Sequence, residues 1–406
     1  MADHGEPLLE ALALVAPGTP LREGLNRVLQ AKRGALVVVS DQPAVLSICT
    51  GGFLLDAEFT PQRLAELAKM DGAVILTPEA SRIARANVHL MPRASIPTSE
   101  TGTRHRTAER VARSIDVPVI TVSEALGTIT VYRGAQRHSL QRTGRLVDLA
   151  SQALTALERF KSRFDVALAL LSTLEVEDAV SLSDVVAVLQ PGEMVVRFTD
   201  EVENYLVELG EDGRLIRLQL EELGAGVEDT LRLVALDYAV TRSGAGARAA
   251  GASSGASVSS GASSDLSSAD DAHRAEAAGL SANGRHAGAP PLREDQARRA
   301  LAAIHRLTHE ELLAGTPVVS ALGFEPVPGV LELAVEARGY RLLHRLPRVS
   351  ETIIERIVER FVTLPRLMQA SVADLEKVGG VGEAKARSVK DGLARMVEAS
   401  ILERYE

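Results

Sequence analysis

The chain has 406 residues, a formal net charge of −9 and 46% apolar residues, with only 3% aromatics and no Trp. That length suggests two or three domains whose cores rest on Leu, Val, Ile and Ala, and the acidic balance excludes a general polyanion binder, so any nucleic-acid site must be local. A single cysteine, Cys49, excludes an intrachain disulfide, the opening MADHGEPLLEALALVAPG has no basic run, and no apolar run approaches the roughly 20 residues of a membrane span, so a soluble cytoplasmic protein is expected.

In the first third, short apolar runs bounded by turn residues alternate with helical patterns. Strands are predicted at GALVVVS (Gly34–Ser40), AVLSIC (Ala44–Cys49), GAVILT (Gly72–Thr77), VPVITVS (Val117–Ser123) and TITVY (Thr128–Tyr132). Helices are predicted between them at Leu21–Ala31, Pro61–Lys69 and Thr107–Ile115. This alternation means an α/β layer fold with a mixed sheet. Ligands in such folds tend to sit at strand carboxyl ends and helix N-termini.

Three stretches of this region carry chemistry. In AKMDGAVIL, Asp71-Gly72 makes a tight turn before a strand. Asp-Gly is a common turn pair, and a carboxylate there can also hold a divalent metal or approach a sugar hydroxyl. In GTRHRTAERVARSID, Thr107 is the predicted N-cap of a helix over Ala108–Ile115, with Arg104, His105 and Arg106 in the turn leading into it. Backbone N–H groups, hydroxyls and guanidiniums converging there suit phosphate oxygens. The alternative is a solvated basic loop paired with Glu100 and Glu109. In VITVSEALG, Ser123 and Glu124 end an apolar strand, where a hydroxyl and a carboxylate face a crevice or simply close a turn.

Beyond the sheet region, Leu146, Leu149, Ala153, Leu157, Phe160, Phe164, Leu168 and Leu171 recur every three or four residues, the stripe of one long amphipathic helix. Further helical pattern extends this into a spine. The segment Ser243–Pro291 is mostly Ala, Ser and Gly and has too few large apolar residues to offset its ordering entropy, so a disordered insert is expected. Helical pattern resumes near Leu292. The last 76 residues, 331–406, hold 13 Lys+Arg against 12 Asp+Glu and are near neutral. Within them, LEKVGGVGEAKARSV spaces Leu375, Val378, Gly380-Val381-Gly382, Ala386 and Val389 as a tight hairpin between helices, the second starting near Glu383. Glycines let a phosphate approach the backbone, and the helix N-terminus with Lys385 and Arg387 favours it. This resembles the helix-hairpin-helix DNA-binding motif, and LPRVSETIIERIVERFVTLPRLMQAS reads as a degenerate first copy. Such contacts would go to the DNA backbone and read shape rather than sequence.

Taken together, DGA, GTRHRT and VSE, each at an edge of one α/β unit, resemble the diadenylate cyclase family, for which DGA and RHR are signature motifs. Further stretches are similar too, among them GALVVVSD, GGFLLDAEFTPQRLAELAKMDGA, ELGEDGRLIRLQLEEL and RGYRLLHRLPR. The resemblance implies a mixed-sheet α/β cyclase domain over 1–142 and an all-helical spine over 143–242 and 292–327, interrupted by the insert at 243–291. An all-α helix-hairpin-helix domain follows over 328–406.

It further implies that two ATP molecules are condensed into cyclic di-AMP with release of two pyrophosphates, using Mg²⁺ or Mn²⁺. Asp71, Arg104 and His105 would be catalytic. Asp71, Gly72, Leu90 (at the adenine), Thr103, Arg104, His105, Thr107 and Ser123 would bind ATP. Asp71 and Glu124 would serve the metal, and Gly380, Gly382, Lys385 and Arg387 would contact DNA. The implied partners are branched DNA such as recombination junctions and further copies of the chain, in an octamer with facing cyclase domains. The implied location is cytoplasmic and nucleoid-associated. The competing expectation is a DNA-binding scaffold whose nucleotide site only senses.

Overall fold

The computed structural model describes residues 6–240, 292–347 and 349–403; the insert expected at 243–291 lies outside them. The chain divides into two compact units, Met1–Ser162 with Met194–Ala225, and Arg163–Glu193 with Gly226–Glu406.

The first unit opens with α1 (Glu6–Ala13) and α2 (Pro20–Gln30), followed by β1 (Ala35–Val39), α3 (Pro43–Ser47), β2 (Cys49–Thr50), β3 (Phe53–Glu58) and α4 (Pro61–Leu67). Then come β4 (Ala73–Leu76), β5 (Arg82–Leu90), α5 (Thr103–Ile115), β6 (Val119–Ser123), β7 (Thr128–Arg133) and β8 (Gln136–Ser139). Thr-Pro pairs start two of the helices. The Thr19 hydroxyl accepts from the Arg22 amide at 3.1 Å and that of Thr60 from Arg63 at 3.2 Å. Each cap contributes about 1 kcal/mol.

The strands form one mixed sheet in the order β2-β5-β4-β1-β6-β7-β8, with β3 also on β5. Only β1 and β4 run parallel. The alternation of β1 builds three layers. Ala35, Val37 and Val39 pack with Leu12, Leu25, Val28 and Leu64, whereas Leu36 and Val38 pack with Val45, Val111 and Ala112 on the other face. Burial on both faces is why these strands read as continuous apolar runs.

Three expectations change. Ala44–Cys49 is not a strand: its apolar residues form α3, and only Cys49 and Thr50 pair, with β5. Periodicity cannot separate a short apolar helix from a strand, and Pro43 presets φ for the first helical position. The second change is at α5, which begins at Thr103 rather than Ala108. Gly102, extended at φ −78 and ψ 143, is its N-cap, and Thr107 lies inside the helix. The break belongs to the glycine, because Arg-His-Arg is compatible with helix. Third, β3 and β5 were not expected. β3 is exposed along most of its length, and β5 carries Asn87 at φ 54 beside a shifted register, so neither has a clean apolar period.

The helical part follows: α6 (Thr143–Glu177), α7 (Leu182–Leu209), α8 (Arg214–Gly224) and α9 (Val227–Tyr238). The stripe from Leu146 to Leu171 lies within the single helix α6. No described helix is long and apolar enough to cross a membrane.

The second unit also holds α10 (Leu292–His305), α11 (His309–Ala314), α12 (Thr316–Ala321), α13 (Tyr340–His344), α14 (Glu351–Phe361), α15 (Leu364–Gln369), α16 (Val372–Glu376) and α17 (Glu383–Glu403). A buried polar network ties it together. The Asp237 carboxylate accepts the Gly339, Tyr340 and Arg341 amides at 2.7, 2.7 and 3.0 Å. Arg338 donates to the carbonyls of Leu236, Asp237 and Ala239. Arg341 pairs with Glu175, which also accepts the Tyr238 hydroxyl at 2.7 Å. Burial pushes the Glu175 carboxyl up to about 7, partly offset by Arg341.

Candidate functional site

The sheet register gathers the residues singled out in the sequence. Ala35 pairs with Val122, so Gly34 at the start of β1 lies beside Ser123 at the end of β6. Leu36 pairs with Ala73, and Ala73 with Val88. Asp71-Gly72 and Leu90 therefore lie at the same sheet edge. It is the amino edge of the two parallel strands and the carboxyl edge of their antiparallel neighbours.

Gly72 is required there. Its φ is +114, and a Cβ would come within 2.9 Å of the Asn87 carbonyl carbon and 3.0 Å of the Val88 oxygen. Leu90 is buried, Ser123 is half-buried, and Asp71 and Glu124 are exposed. The Ser123 hydroxyl accepts the Leu126 amide at 3.3 Å within the turn to β7.

Helix α5 delivers the basic residues to this edge. Arg104 shares a stripe with Ala108, Val111 and Ala112, at steps of four, seven and eight residues, and those three are buried against the sheet. Its guanidinium extends over Gly34, where an added Cβ would lie 2.2 Å from Arg104 Nη1. Nη2 reaches Asp71 Oδ1 at 3.4 Å. Both side chains are substantially exposed, 39% and 91%, so the pair is weak and readily exchanged for a phosphate. Gly102 provides no capping side chain, which leaves the first amides of α5 open to an anion. Thr103 and Thr107 are one turn apart, the first exposed and the second half-buried.

Neither glutamate of the alternative reading pairs directly with the basic triplet. Glu109 is buried and accepts from Thr98 Oγ1 at 2.5 Å and the Ser99 amide at 3.0 Å, and pairs with Arg113 at 2.8 Å. Burial pushes its carboxyl up, but these partners outweigh burial and hold it below the usual carboxylate range. Glu100 pairs with Arg137 and accepts the Tyr132 hydroxyl. The two carboxylates instead fix the loop that feeds α5.

Among the described residues, no cluster of three or more His, Cys, Asp or Glu side chains could hold a metal ion. Asp71 and Glu124 still offer exposed hard oxygen donors. One or two carboxylates completed by substrate phosphates is how Mg²⁺ is commonly held.

Sequence reasoning missed Gly34, whose only signal is its place immediately before a strand. Gly34→Ala should leave stability within about 1 kcal/mol: the flexible end of Arg104 moves aside, and the Val122 carbonyl oxygen, 3.2 Å from the added Cβ, gives by a few tenths of an ångström. By displacing that guanidinium it should raise KM for the substrate about tenfold or more. Thermal melting and steady-state kinetics on one preparation check both parts.

In the second unit, α16, the turn and α17 match the predicted hairpin. Leu375, Val378, Val381, Ala386 and Val389 are all buried. Gly380 has φ +88, while Gly382 faces open space. Lys385 Nζ approaches the Gly380 carbonyl at 3.4 Å, and Arg387 pairs with Glu383. Arg356, from α14, donates to the Gly379 carbonyl at 2.8 Å and braces the turn. The two glycines thus differ, one set by backbone conformation and the other by open surface.

Residues 22–137 match the family model described as DisA bacterial checkpoint controller nucleotide-binding, and residues 140–273 match the DisA bacterial checkpoint controller linker region. The DNA integrity scanning protein DisA of Streptomyces coelicolor is 44% identical, covering 97% of this chain and 93% of that one. Its namesake from Acidothermus cellulolyticus is 44% identical, covering 100% and 97%. Among solved structures, DacA from Staphylococcus aureus is 22% identical, covering 35% of this chain and 95% of that one with a TM-score of 0.27.

Proposed function

The chain belongs to the DisA family of diadenylate cyclases, and from that premise we propose that the edge built by Asp71, Gly72, Arg104, His105 and Ser123 is one half of its ATP-condensing site. The reaction joins two ATP molecules. Each 3′-hydroxyl oxygen attacks the α-phosphorus of the other nucleotide, two P–O bonds form, and two pyrophosphates leave. Each site holds one ATP, so two copies of the chain must face each other to close the ring, and an octamer with cyclase domains paired is the assembly we propose.

The observation that carries this reading is the Arg104 guanidinium over Gly34, within reach of Asp71. Triphosphate oxygens compete for the guanidinium and for the open amides of α5, with Thr103, Thr107 and Ser123 supplying hydroxyls. Asp71, released from Arg104, then orients the 3′-hydroxyl and takes up its proton. Gly72 lets the nucleotide approach the backbone, and Leu90 forms part of the apolar wall for adenine. Asp71 and Glu124 are the carboxylates available to Mg²⁺ or Mn²⁺, which when bound supplies charge neutralisation at the phosphates.

We further propose that the hairpin at Gly380–Gly382, with Lys385 and Arg387, binds the backbone of branched DNA, and that such DNA lowers cyclase activity in a nucleoid-associated, cytoplasmic protein. The boundaries 1–142, 143–242 with 292–327, and 328–406 are the functional division that goes with this reading.

Incubation with ATP and Mn²⁺ should yield a cyclic dinucleotide and pyrophosphate, and junction DNA should reduce the yield. No product at micromolar protein would leave only a nucleotide-sensing scaffold. Gly382→Glu adds a carboxylate where the chain leaves open space. It should weaken junction binding about tenfold while leaving ATP condensation without DNA unchanged. Equal loss of both would make the hairpin a structural element only.

A further inference from the structure

His105 Nδ1 lies 2.8 Å from the Tyr132 hydroxyl and 3.1 Å from Thr121 Oγ1. The Tyr132 hydroxyl in turn donates to Glu100 Oε1 at 3.0 Å, and Arg137 holds the same carboxylate. Tyr132 is 1% exposed. Burial and the adjacent Glu100 hold its hydroxyl far above the usual tyrosine range, so it keeps its proton. That single proton is committed to Glu100, which makes the Tyr132 oxygen an acceptor toward the imidazole. The proton on His105 must then sit on Nδ1, and Nε2 is the ring nitrogen left for a ligand.

On the assignment of His105 to the nucleotide made above, we infer that Tyr132 and Glu100 are positioning residues for the cyclase reaction: a carboxylate–tyrosine–histidine chain that holds Nδ1–H of His105 on the Tyr132 oxygen and so turns Nε2, protonated when the ring is cationic, toward the phosphates. The two ends of the chain come from different elements. Glu100 sits in the loop fastened by Glu109, and Tyr132 sits on β7, whose ring packs edge-on to the imidazole with centroids 6.3 Å apart. The loop before α5 and the sheet beneath it therefore both define the direction of one ring. Because the chain ends on a carboxylate, charge carried by the ring when Nε2–H donates to a phosphate is compensated within the domain.

Cyclic dinucleotide formation from ATP and Mn²⁺ is measured on the full chain for His105→Ala, Tyr132→Phe, Glu100→Gln, Glu100→Ala and the double variant Tyr132→Phe/His105→Ala. Tyr132→Phe keeps the buried ring and should lower kcat about 10–100-fold, with KM for ATP within about twofold. Added to His105→Ala it should change the residual rate by less than about twofold, because the chain acts only through the imidazole. Glu100→Gln, whose amide oxygen still accepts the tyrosine proton, should recover most of the rate that Glu100→Ala loses. If His105→Ala is inactive but Tyr132→Phe turns over normally, or the losses multiply in the double variant, the chain has no positioning role. If His105→Ala itself is fully active, the assignment of His105 to the nucleotide fails instead.

Discussion

Asp71→Asn is expected to reduce cyclic dinucleotide synthesis about 10²–10⁴-fold while the protein stays folded and still binds ATP. The stability half of that expectation follows from exposure. The Asp71 side chain is 91% exposed, and its contacts are its neighbour's amide, Gly72 N at 3.2 Å, and the long pair with Arg104 at 3.4 Å. An amide oxygen can accept both, so the turn keeps its geometry, and losing an exposed ion pair costs about 0–1 kcal/mol. The activity half follows from chemistry: an amide is neither a base for the 3′-hydroxyl nor an anionic ligand for a divalent ion. ATP binding should survive, because the donors proposed for the phosphates are on α5 and at Ser123. Product analysis by chromatography and ATP binding by calorimetry on one preparation check both halves. Turnover within fivefold of the parent would remove Asp71 from the chemistry. Loss of ATP binding would move its role to the ground state.

How far the site could be read from the sequence depended on how local each signal was. Asp71-Gly72 was legible because a turn between a helix and a strand is encoded by adjacent residues, and the strained φ of Gly72 agrees with it. That the basic triplet gathers at the start of a helix was legible, but its place in the first turn of α5 was not. Thr107 is as good a cap on paper as Gly102, and only packing of Ala108, Val111 and Ala112 decides the phase. Gly34 and Tyr132 were invisible because their roles come from register. Tyr132 ends an apolar run and reads as core, which it is, and only its hydroxyl reaches His105. In the same way, α3 and the exposed strand β3 were misread or missed because short or half-solvated segments have no period of their own. The hairpin at Gly380–Gly382 was read almost to the residue, because all its determinants lie within fifteen positions.

The second unit holds a feature that no local pattern announces, and it yields the largest expected stability effect. Arg341→Met should destabilise this unit by about 3–5 kcal/mol, because it leaves the Glu175 carboxylate buried without its cation. Arg341 is 4% exposed and Glu175 1% at the side chain, so water cannot replace the lost partner. Ser172 Oγ also loses the donor that reaches it at 2.8 Å. The loss should depend on pH. In the parent, burial raises the Glu175 carboxyl to about 7, above its ordinary value. A raised folded-state value means that the group's contribution is fully present below about 4.5 and is lost as pH rises through about 7. Without Arg341 the folded-state value rises further, so the variant goes on losing stability at pH values where the parent has levelled off. The gap between the two should therefore be small near pH 5 and largest near pH 8. Hydrogen exchange over α9 and α13, read against the sheet of the first unit as an internal reference, measures it locally. A gap that is the same at both pH values would mean that Arg341 acts through packing and its bond to Ser172, and that Glu175 finds another partner when the guanidinium is gone.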